Sequence, residues 1–165
     1  MPEENFETFF AEEFPRLVGF LISLGYGSAL AQDCAADAMY RAHEIWCTIS
    51  QPRAYVRKVA TQKAARQVLR DLDGVRRAAE GGWLPPATGP DPTHVVDARM
   101  KREQLLKALP DRQREVMAWT FDGFTPAEIA EALEIPAETV RSHLRHARQK
   151  LKELWKQLAQ HEGGA

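Results

Sequence analysis

The side chains best suited to specific chemistry are cationic, hydroxyl and amide groups near the C-terminal end of the sequence. Six of them fall within nine positions, on the side of a predicted helix opposite an apolar stripe: Arg141, Ser142, Arg145, His146, Arg148 and Gln149. Arginine and amide groups hydrogen-bond to base edges, and arginine also pairs with phosphates. The pattern predicts a nucleic-acid contact, with an ordinary solvated basic helix face as the alternative.

Charge is distributed in blocks along the 165 residues, although the net charge is only −1. Residues 1–50 have eight acidic and two basic side chains, and residues 51–77 have two acidic and eight basic ones. Residues 78–134 are acidic again, and residues 135–165 have six basic and three acidic side chains. Two separate cationic segments are typical of a protein that binds a polyanion at two sites.

The C-terminal cationic residues follow a strong helix-start signal. Thr125, Pro126 and Glu128 predict an N-cap, a first-turn proline and a capping box for a short helix that ends near Leu133. A longer helix is predicted from about Ala137 to Leu158, with an apolar stripe at Val140, Leu144, Ala147, Leu151, Leu154 and Leu158. The two helices form a predicted helix-turn-helix. The wedge-shaped space between them, called the wedge below, is filled by Ile129, Leu133, Ile135, Val140 and Leu144.

The N-terminal part also reads as helical. The apolar pattern predicts a first helix interrupted at Pro15, a second from an N-cap at Ser28 to about Trp46, and a third from Arg53 to about Leu72. Upstream of the helix-turn-helix, a helix is predicted to end at Pro110 and another to run from Asp111 to Gly123, with Val116, Met117 and Phe121 facing inward.

These elements predict an all-α protein of two small helical domains. Residues 1–77 form a helical bundle, residues 78–94 a Gly/Pro-rich linker that contains Trp83 and Leu84, and residues 95–165 the helix-turn-helix domain.

Several classes of function are excluded by what the sequence lacks. No apolar run is long enough to cross a membrane, and the N-terminus does not read as a secretory signal. Phosphate-loop, metal-ligand and nucleophile motifs are absent, so we expect no enzyme activity, no cofactor and no metal. Two cysteines, Cys34 and Cys47, cannot form a disulfide framework and are predicted to be buried apolar residues in a cytoplasmic protein.

Several sequence motifs resemble a known family. The runs Leu109-Pro110-Asp111-Arg112-Gln113-Arg114, Thr125-Pro126-Ala127-Glu128-Ile129-Ala130 and Thr139-Val140-Arg141-Ser142-His143-Leu144 are similar to region 4 of bacterial sigma factors of the extracytoplasmic-function group. Three runs in the first half, Pro15-Arg16-Leu17, Ala31-Gln32-Asp33 and Arg53-Ala54-Tyr55-Val56, resemble region 2 of the same family. The resemblance spans about residues 5–158.

The resemblance implies a sigma factor that binds core RNA polymerase and directs transcription from specific promoters. The six residues of the C-terminal helix would then read the minus-35 element. The minus-10 element would be melted and held by Arg53, Tyr55, Arg57, Lys58, Lys63, Arg66 and Arg70. Tyr55 occupies a position where the family commonly has Trp. The simpler interpretation is that Tyr55 is a core residue and does not contact DNA.

The resemblance also implies protein partners. Asp33, Asp37, Arg41 and Glu44 would bind the clamp helices of the largest polymerase subunit, and the C-terminal domain would contact the polymerase flap. An anti-sigma factor is a further expected partner. Two alternatives remain: a degenerate sigma homologue acting as an interaction module, and a helix-turn-helix regulator of the response-regulator output type.

Three positions depart from the family pattern. Glu134 stands where the turn of the helix-turn-helix commonly has Gly, so the turn must either avoid positive φ or tolerate strain. His143 and His146 stand where Arg is common, which weakens the expected grip on phosphate at neutral pH.

Overall fold

A computed structural model describes residues 5–82 and 98–162, and the side chains of residues 5–82 and 103–160. Throughout these residues the secondary structure is helical and no strand occurs, which confirms the predicted all-α class. The helices are α1 (Phe6–Ser23), α2 (Ser28–Glu44), the 3-10 helix η1 (Trp46–Thr48), α3 (Pro52–Glu80), α4 (Ala98–Lys107), α5 (Asp111–Phe121), α6 (Pro126–Leu133) and α7 (Ala137–Glu162). Most of the predicted linker, including Trp83 and Leu84, lies outside the described residues.

Helix α1 continues through Pro15, so the predicted interruption there is wrong. Proline in a helix interior costs about 3 kcal/mol or more. Phe9 on one side of Pro15 and Leu17 and Leu21 on the other are buried in one shared core, and their burial outweighs that cost. Asn5 is the N-cap of α1, and its side chain accepts a 2.6 Å hydrogen bond from the backbone N–H of Glu7.

The boundaries of α2 and α3 differ from those predicted. Gly27, not Ser28, is the N-cap of α2, because the Ser28 hydroxyl instead accepts a hydrogen bond from Gln32. Helix α2 ends at Glu44, and Trp46 begins the short 3-10 helix. Helix α3 continues past Leu72 through Gly74 to Glu80. A single glycine costs a helix about 1 kcal/mol, which is too little to end one built from good helix formers.

Small side chains bring α2 and α3 close together. Ala31, Cys34, Ala35, Ala38 and Ala42 lie fully buried along α2. They face a shared core to which α3 contributes Val56, Ala60 and Ala64. Cys34 is buried, as predicted, and its burial raises the pKa of its thiol. Cys47 is exposed in the 3-10 helix, so its predicted burial is wrong.

The helix-turn-helix forms as predicted from its apolar pattern. Ile129 of α6 and Val140 and Leu144 of α7 are buried in the wedge between the two helices, and Leu133 and Ile135 pack against them. The stripe along α7 is buried as far as Ala147, whereas Leu158 lies exposed near the end of the helix. Phe121 at the end of α5 is 49% exposed rather than inward-facing, because Trp119 occupies the core position instead.

Arg114 joins the end of α4 to α5. Its guanidinium donates to the backbone carbonyls of Leu106 and Leu109, each at 3.0 Å. Carbonyls at a helix C-terminus lack partners within the helix, so a cation donating to them stabilises the turn. This contact orients α4 against the helix-turn-helix.

The two helical halves pack directly against each other. Phe20 of α1 makes an edge-to-face contact with Trp119 of α5, with ring centroids 5.4 Å apart. Trp119 in turn contacts Phe124, in the loop between α5 and α6, at 4.8 Å. The buried residues of both halves therefore form one continuous apolar cluster.

The turn between α6 and α7 has a strained residue. Glu134 adopts φ 56° and ψ 41°, and it is the one non-glycine residue with positive φ among the residues described. A left-handed conformation costs an L-residue roughly 1–2 kcal/mol. The turn thus tolerates strain at the position where a glycine would be relaxed.

Replacing Glu134 by glycine should stabilise the protein by up to about 1 kcal/mol, since relief of the left-handed strain exceeds the added freedom of the unfolded chain. Urea unfolding followed by circular dichroism measures the change. Glu131→Gly, an exposed glutamate inside α6, is the matched control and should lose about 1 kcal/mol. Destabilisation by Glu134→Gly would contradict the strain assigned to this turn.

Candidate nucleic-acid interface

Helix α6 begins with the predicted capping box. The Thr125 hydroxyl accepts from the Glu128 backbone N–H at 3.3 Å, and the Glu128 carboxylate accepts from the Thr125 backbone N–H at 2.7 Å. Hydrogen bonds from Thr125 stabilise the ionised carboxylate of Glu128 and lower the pKa of this residue. This cap fixes where α6 starts, and the buried wedge then fixes the angle of α7.

The outer side of α7 presents the predicted side chains to solvent. Arg141, Arg145, His146, Arg148 and Gln149 are exposed, and Ser142 is half-buried. Arg141 pairs with the exposed Glu138 one turn earlier at 3.3 Å, a contact that a phosphate or base can replace at small cost. The six predicted residues are thus brought together along one helix that is anchored by its opposite face.

The cationic block of α3 is divided between two environments. Arg66 and Arg70 are exposed and, with Arg41, Gln62 and Lys63, line a cleft of about 190 Å³ between α2 and α3. Lys58 is half-buried and pairs with Glu134 of the helix-turn-helix at 3.3 Å. Tyr55 is half-buried, packs against the core and lines a second groove with Ile45 and Lys58.

Arg57 is placed very differently from the other members of this block, because it is fully buried. Its Nη2 donates to Oε2 of Glu13 at 2.8 Å, and its Nε donates to Oδ2 of Asp122. Its Nη1 donates to the backbone carbonyl of Arg53 at 2.9 Å. Every nitrogen of the guanidinium therefore has a protein partner, and none faces solvent.

Arg53 lies beside Arg57 and joins the same network. Its Nη2 donates to the backbone carbonyl of Asp122 at 3.0 Å, and its Nε lies 3.2 Å from Oε1 of Glu13. The ring of Phe124 lies 5.0 Å from Cζ of Arg53 and 5.2 Å from Cζ of Arg57, within range of a cation–π contact. The loop between α5 and α6 thus contacts both arginines, and Arg57 is buried whereas Arg53 stays partly exposed.

The acidic partners in this network were missed by sequence reasoning. Glu13 is buried, and the spacing could have revealed it, because Phe9, Glu13, Leu17 and Leu21 follow one face of α1. A carboxylate in an apolar stripe implies a buried cation nearby. Asp122 had no comparable signal, since it lies in a loop and its partner is far away in the sequence.

The network sets the charge state of Glu13. Burial alone would raise the pKa of its carboxyl, but the hydrogen bond and charge of Arg57, with Arg16 and Arg53 nearby, hold the pKa below its ordinary value. Glu13 is therefore ionised at neutral pH, as a buried partner of a guanidinium must be.

The four predicted polymerase-binding residues line the outer side of α2. Asp33, Arg41 and Glu44 are exposed, and Asp37 is half-buried. Asp37 pairs with Arg41 at 3.3 Å and with Lys63 of α3 at 2.9 Å. The structure brings the four side chains onto one surface, which is adjacent to the cationic cleft.

Comparison with known proteins shows similarity along most of the chain. A sequence model of the family described as Sigma-70, region 4 matches residues 100–151. Over 159 residues the chain is 29% identical to the ECF RNA polymerase sigma factor RpoE of Cereibacter sphaeroides, covering 89% of this chain and 86% of that protein.

Two solved structures share the fold. The sigma factor RpoE of Bartonella quintana, in complex with the anti-sigma factor NepR, superposes with a TM-score of 0.72 at 22% identity, over 92% of this chain and 96% of that one. CnrH in complex with the cytosolic domain of CnrY gives a TM-score of 0.63 at 22% identity, over 92% and 87% of the two chains.

Residues 100–151, which include the helix-turn-helix, therefore match sigma-70 region 4. The matches along the rest of the chain support a sigma-70 family factor of the extracytoplasmic-function type, with a role in transcription initiation. The resemblance read from the motifs is confirmed. Across the part of the chain that the structure describes, no helix is long and apolar enough to span a bilayer, and no cluster of His, Cys, Asp and Glu could hold a metal ion.

The buried carboxylate makes stability depend on pH. Because its pKa is lower in the folded chain than in the unfolded one, Glu13 stabilises the fold above pH about 4.5, and this contribution disappears as the pH falls through the folded value. Glu13→Gln should cost about 3 kcal/mol at pH 7 and progressively less below pH 4.5. Urea titrations across this range measure the difference.

Glu12→Gln is the matched control for this prediction, because Glu12 is the exposed neighbour of Glu13 on α1. It should leave stability within about 0.5 kcal/mol of the wild type at neutral pH. An equal loss in both variants, or a Glu13→Gln loss that does not change with pH, would contradict the charge state assigned to Glu13.

Proposed function

We propose that this protein binds core RNA polymerase and directs it to promoters, reading the minus-35 element with α7 and holding the melted minus-10 element with the N-terminal half. The observation behind the proposal is the outer face of α7. The arginines and the amide of this face are exposed. The opposite face of α7 packs against α6, whose N-terminus is capped, through the buried residues between the two helices. A helix presented in this way fits the major groove of duplex DNA.

The cationic surface of α3 supports the second DNA contact. Lys63, Arg66 and Arg70 flank one cleft and suit the phosphates of a single strand, while Tyr55 offers a ring on which a base could stack. Arg53 and Lys58 extend this surface toward the helix-turn-helix, while Arg57 lies buried beside them.

The outer side of α2 supports a polymerase contact. Asp33 and Glu44 are exposed and Asp37 is half-buried, all on one helix face, and they suit docking to the clamp helices of the largest subunit. The helix-turn-helix half would bind the polymerase flap. An anti-sigma factor is a further partner, because the structurally similar RpoE of Bartonella quintana was solved in complex with the anti-sigma factor NepR.

The alternative of a response-regulator output protein is disfavoured by the N-terminal half. Residues 5–82 contain no strand, so they lack the alternating strands and helices expected of a receiver domain. A degenerate sigma homologue that binds polymerase without directing initiation would share this fold, and the DNA-binding experiment below separates it from an active factor.

Arg141→Ala and Arg145→Ala should each weaken holoenzyme binding to minus-35 duplexes by about tenfold, because each removes a base or phosphate contact. The duplexes are selected from a random pool by the wild-type holoenzyme, and binding is followed by fluorescence anisotropy over a salt series. The salt dependence should also become shallower in both variants.

Arg112→Ala is the control, since Arg112 is equally exposed but lies on α5 and pairs with Glu115. Arg112→Ala should leave holoenzyme binding to the minus-35 duplexes unchanged. If Arg141→Ala and Arg145→Ala bind the selected duplexes as tightly as the wild type, α7 is not the recognition helix.

Reversing the charge of α2 should weaken polymerase binding. The double variant Asp33→Arg, Asp37→Arg should lose core affinity by about tenfold or more, because like charges at an interface repel. Co-purification and titration with core polymerase measure the loss, and circular dichroism verifies the fold. The matched variant Glu7→Arg, Glu12→Arg changes the exposed face of α1 and should retain affinity; equal affinity for all three proteins would refute the α2 assignment.

A further inference from the structure

We propose that the C-terminal half of α3 is a self-association surface, on which the same helix of a second copy of this chain packs in the antiparallel direction. The surface is called the α3 stripe below and comprises Ala65, Val68, Leu72, Val75 and Ala79, with Leu69 at its edge. This self-association needs neither DNA nor polymerase, so it adds a partner to those of the proposed function.

The first observation is that this half of α3 packs against no core of its own chain within the residues described. The last buried residue of α3 is Ala64, and no side chain from 65 to 80 is buried. The exposed fraction is 64% for Leu69, 60% for Leu72 and 42% for Val75. A helical segment of this length is marginal in water without packing. A second helix would supply the missing burial.

The second observation is the spacing of the α3 stripe. Its members follow one another at intervals of three, four, three and four residues, which is the heptad pattern of a helix that pairs with another helix. In the antiparallel direction Leu72 faces Val75 of the second copy, and Val68 faces Ala79 of that copy. The two helices then overlap along about 20 Å, at 1.5 Å per residue.

The charged residues beside the stripe fit the antiparallel direction. Within one copy Arg76 lies 3.8 Å from Asp73, and both side chains are more than half exposed. In the antiparallel pair each Arg76 comes within reach of Asp73 of the other copy, and its apolar stem covers Leu69 of that copy. Because the pair is symmetric, these contacts form twice.

The end of the stripe nearest the helical bundle sets the direction of the pair. There Ala65 and Val68 line an open groove of about 520 Å³ with Tyr26 and Arg114. Thr61 also lines this groove, and its hydroxyl oxygen is buried without a hydrogen-bond partner among the residues described. The groove has room for the last turn of a second helix, whereas a parallel pair would bring a whole second bundle to this end.

The size of the surface predicts a weak and reversible dimer. Stable complexes bury about 800 Å² on each partner, and the large apolar side chains of this surface are only Val68, Leu69, Leu72 and Val75. We expect half of the chain to be dimeric at about 0.1 mM and the dimer to dissociate on dilution.

Sedimentation of the full chain over a concentration series up to about 0.5 mM measures the association. The double variant Leu72→Gln, Val75→Gln removes the centre of the stripe and should weaken the association at least about tenfold, because each apolar side chain is lost twice in a symmetric pair. Leu158→Gln is the matched control, since Leu158 is 48% exposed near the end of α7, and it should leave the association unchanged. Circular dichroism verifies that both variants are folded.

Disulfide cross-linking tests the direction of the pair. Val68→Cys and Ala79→Cys are made in separate chains that also carry Cys47→Ser, because Cys47 is exposed. In the antiparallel pair position 68 of one copy faces position 79 of the other, while the two copies of either position lie about 16 Å apart along the helix axis, too far for a disulfide. Mild oxidation of the mixed variants should therefore give a cross-linked dimer, and oxidation of either variant alone should give none.

A chain that remains monomeric throughout the concentration series would overturn the inference, and so would an association that Leu72→Gln, Val75→Gln leaves unchanged. In the first case the occupant of the stripe would be another protein or the residues that follow Gly82 in the same chain. Cross-linking of each cysteine variant with itself would also overturn it, because that result requires a parallel pair. The minus-35 and core-polymerase experiments test the proposed function separately.

Discussion

A buried guanidinium is the constraint on which this structure depends. An arginine removed from water needs a hydrogen-bond acceptor for each donor group and at least one anion to balance its charge. Arg57 finds these on three different segments, namely α1, α3 and the loop between α5 and α6. Because those segments belong to both halves of the chain, one side chain couples the helical bundle to the helix-turn-helix.

This coupling explains several otherwise unrelated features. Glu13 lies in an apolar stripe of α1 because it faces Arg57, and α1 continues through Pro15 because burial on both sides of the proline holds it. Phe124 stacks over Arg53 and Arg57, where its ring adds a favourable contact with both cations. The strained Glu134 places its carboxylate against Lys58, at the edge of the same interface.

The elements that could be predicted from the sequence are those whose patterns involve residues close together in the chain. The capping box at Thr125 and the three- and four-residue spacing along α7 depend on neighbours in the chain, so they predicted the helix-turn-helix and the buried wedge correctly. The exposure of Arg141 and Arg145 followed from the same periodicity. The helical class of the N-terminal half was predictable for the same reason.

What could not be predicted depends on contacts between distant residues. The sequence gives no sign that Asp122 meets Arg57, because their positions differ by 65 residues and neither belongs to a shared motif. Phe121 was expected in the core, but packing against Phe20 selected Trp119 instead. Pro15 and Gly74 are residues that commonly interrupt helices. Burial on both sides of Pro15 and the helix-forming neighbours of Gly74 outweigh that tendency here.

The measurement that tests the account most directly is transcription in vitro with core polymerase, this chain and fragmented genomic DNA, followed by mapping of RNA 5′ ends. The account predicts start sites that appear only when the chain is present and that share two short upstream sequence elements. Absence of any chain-dependent start site, with a chain that is folded and bound to core polymerase, would contradict it.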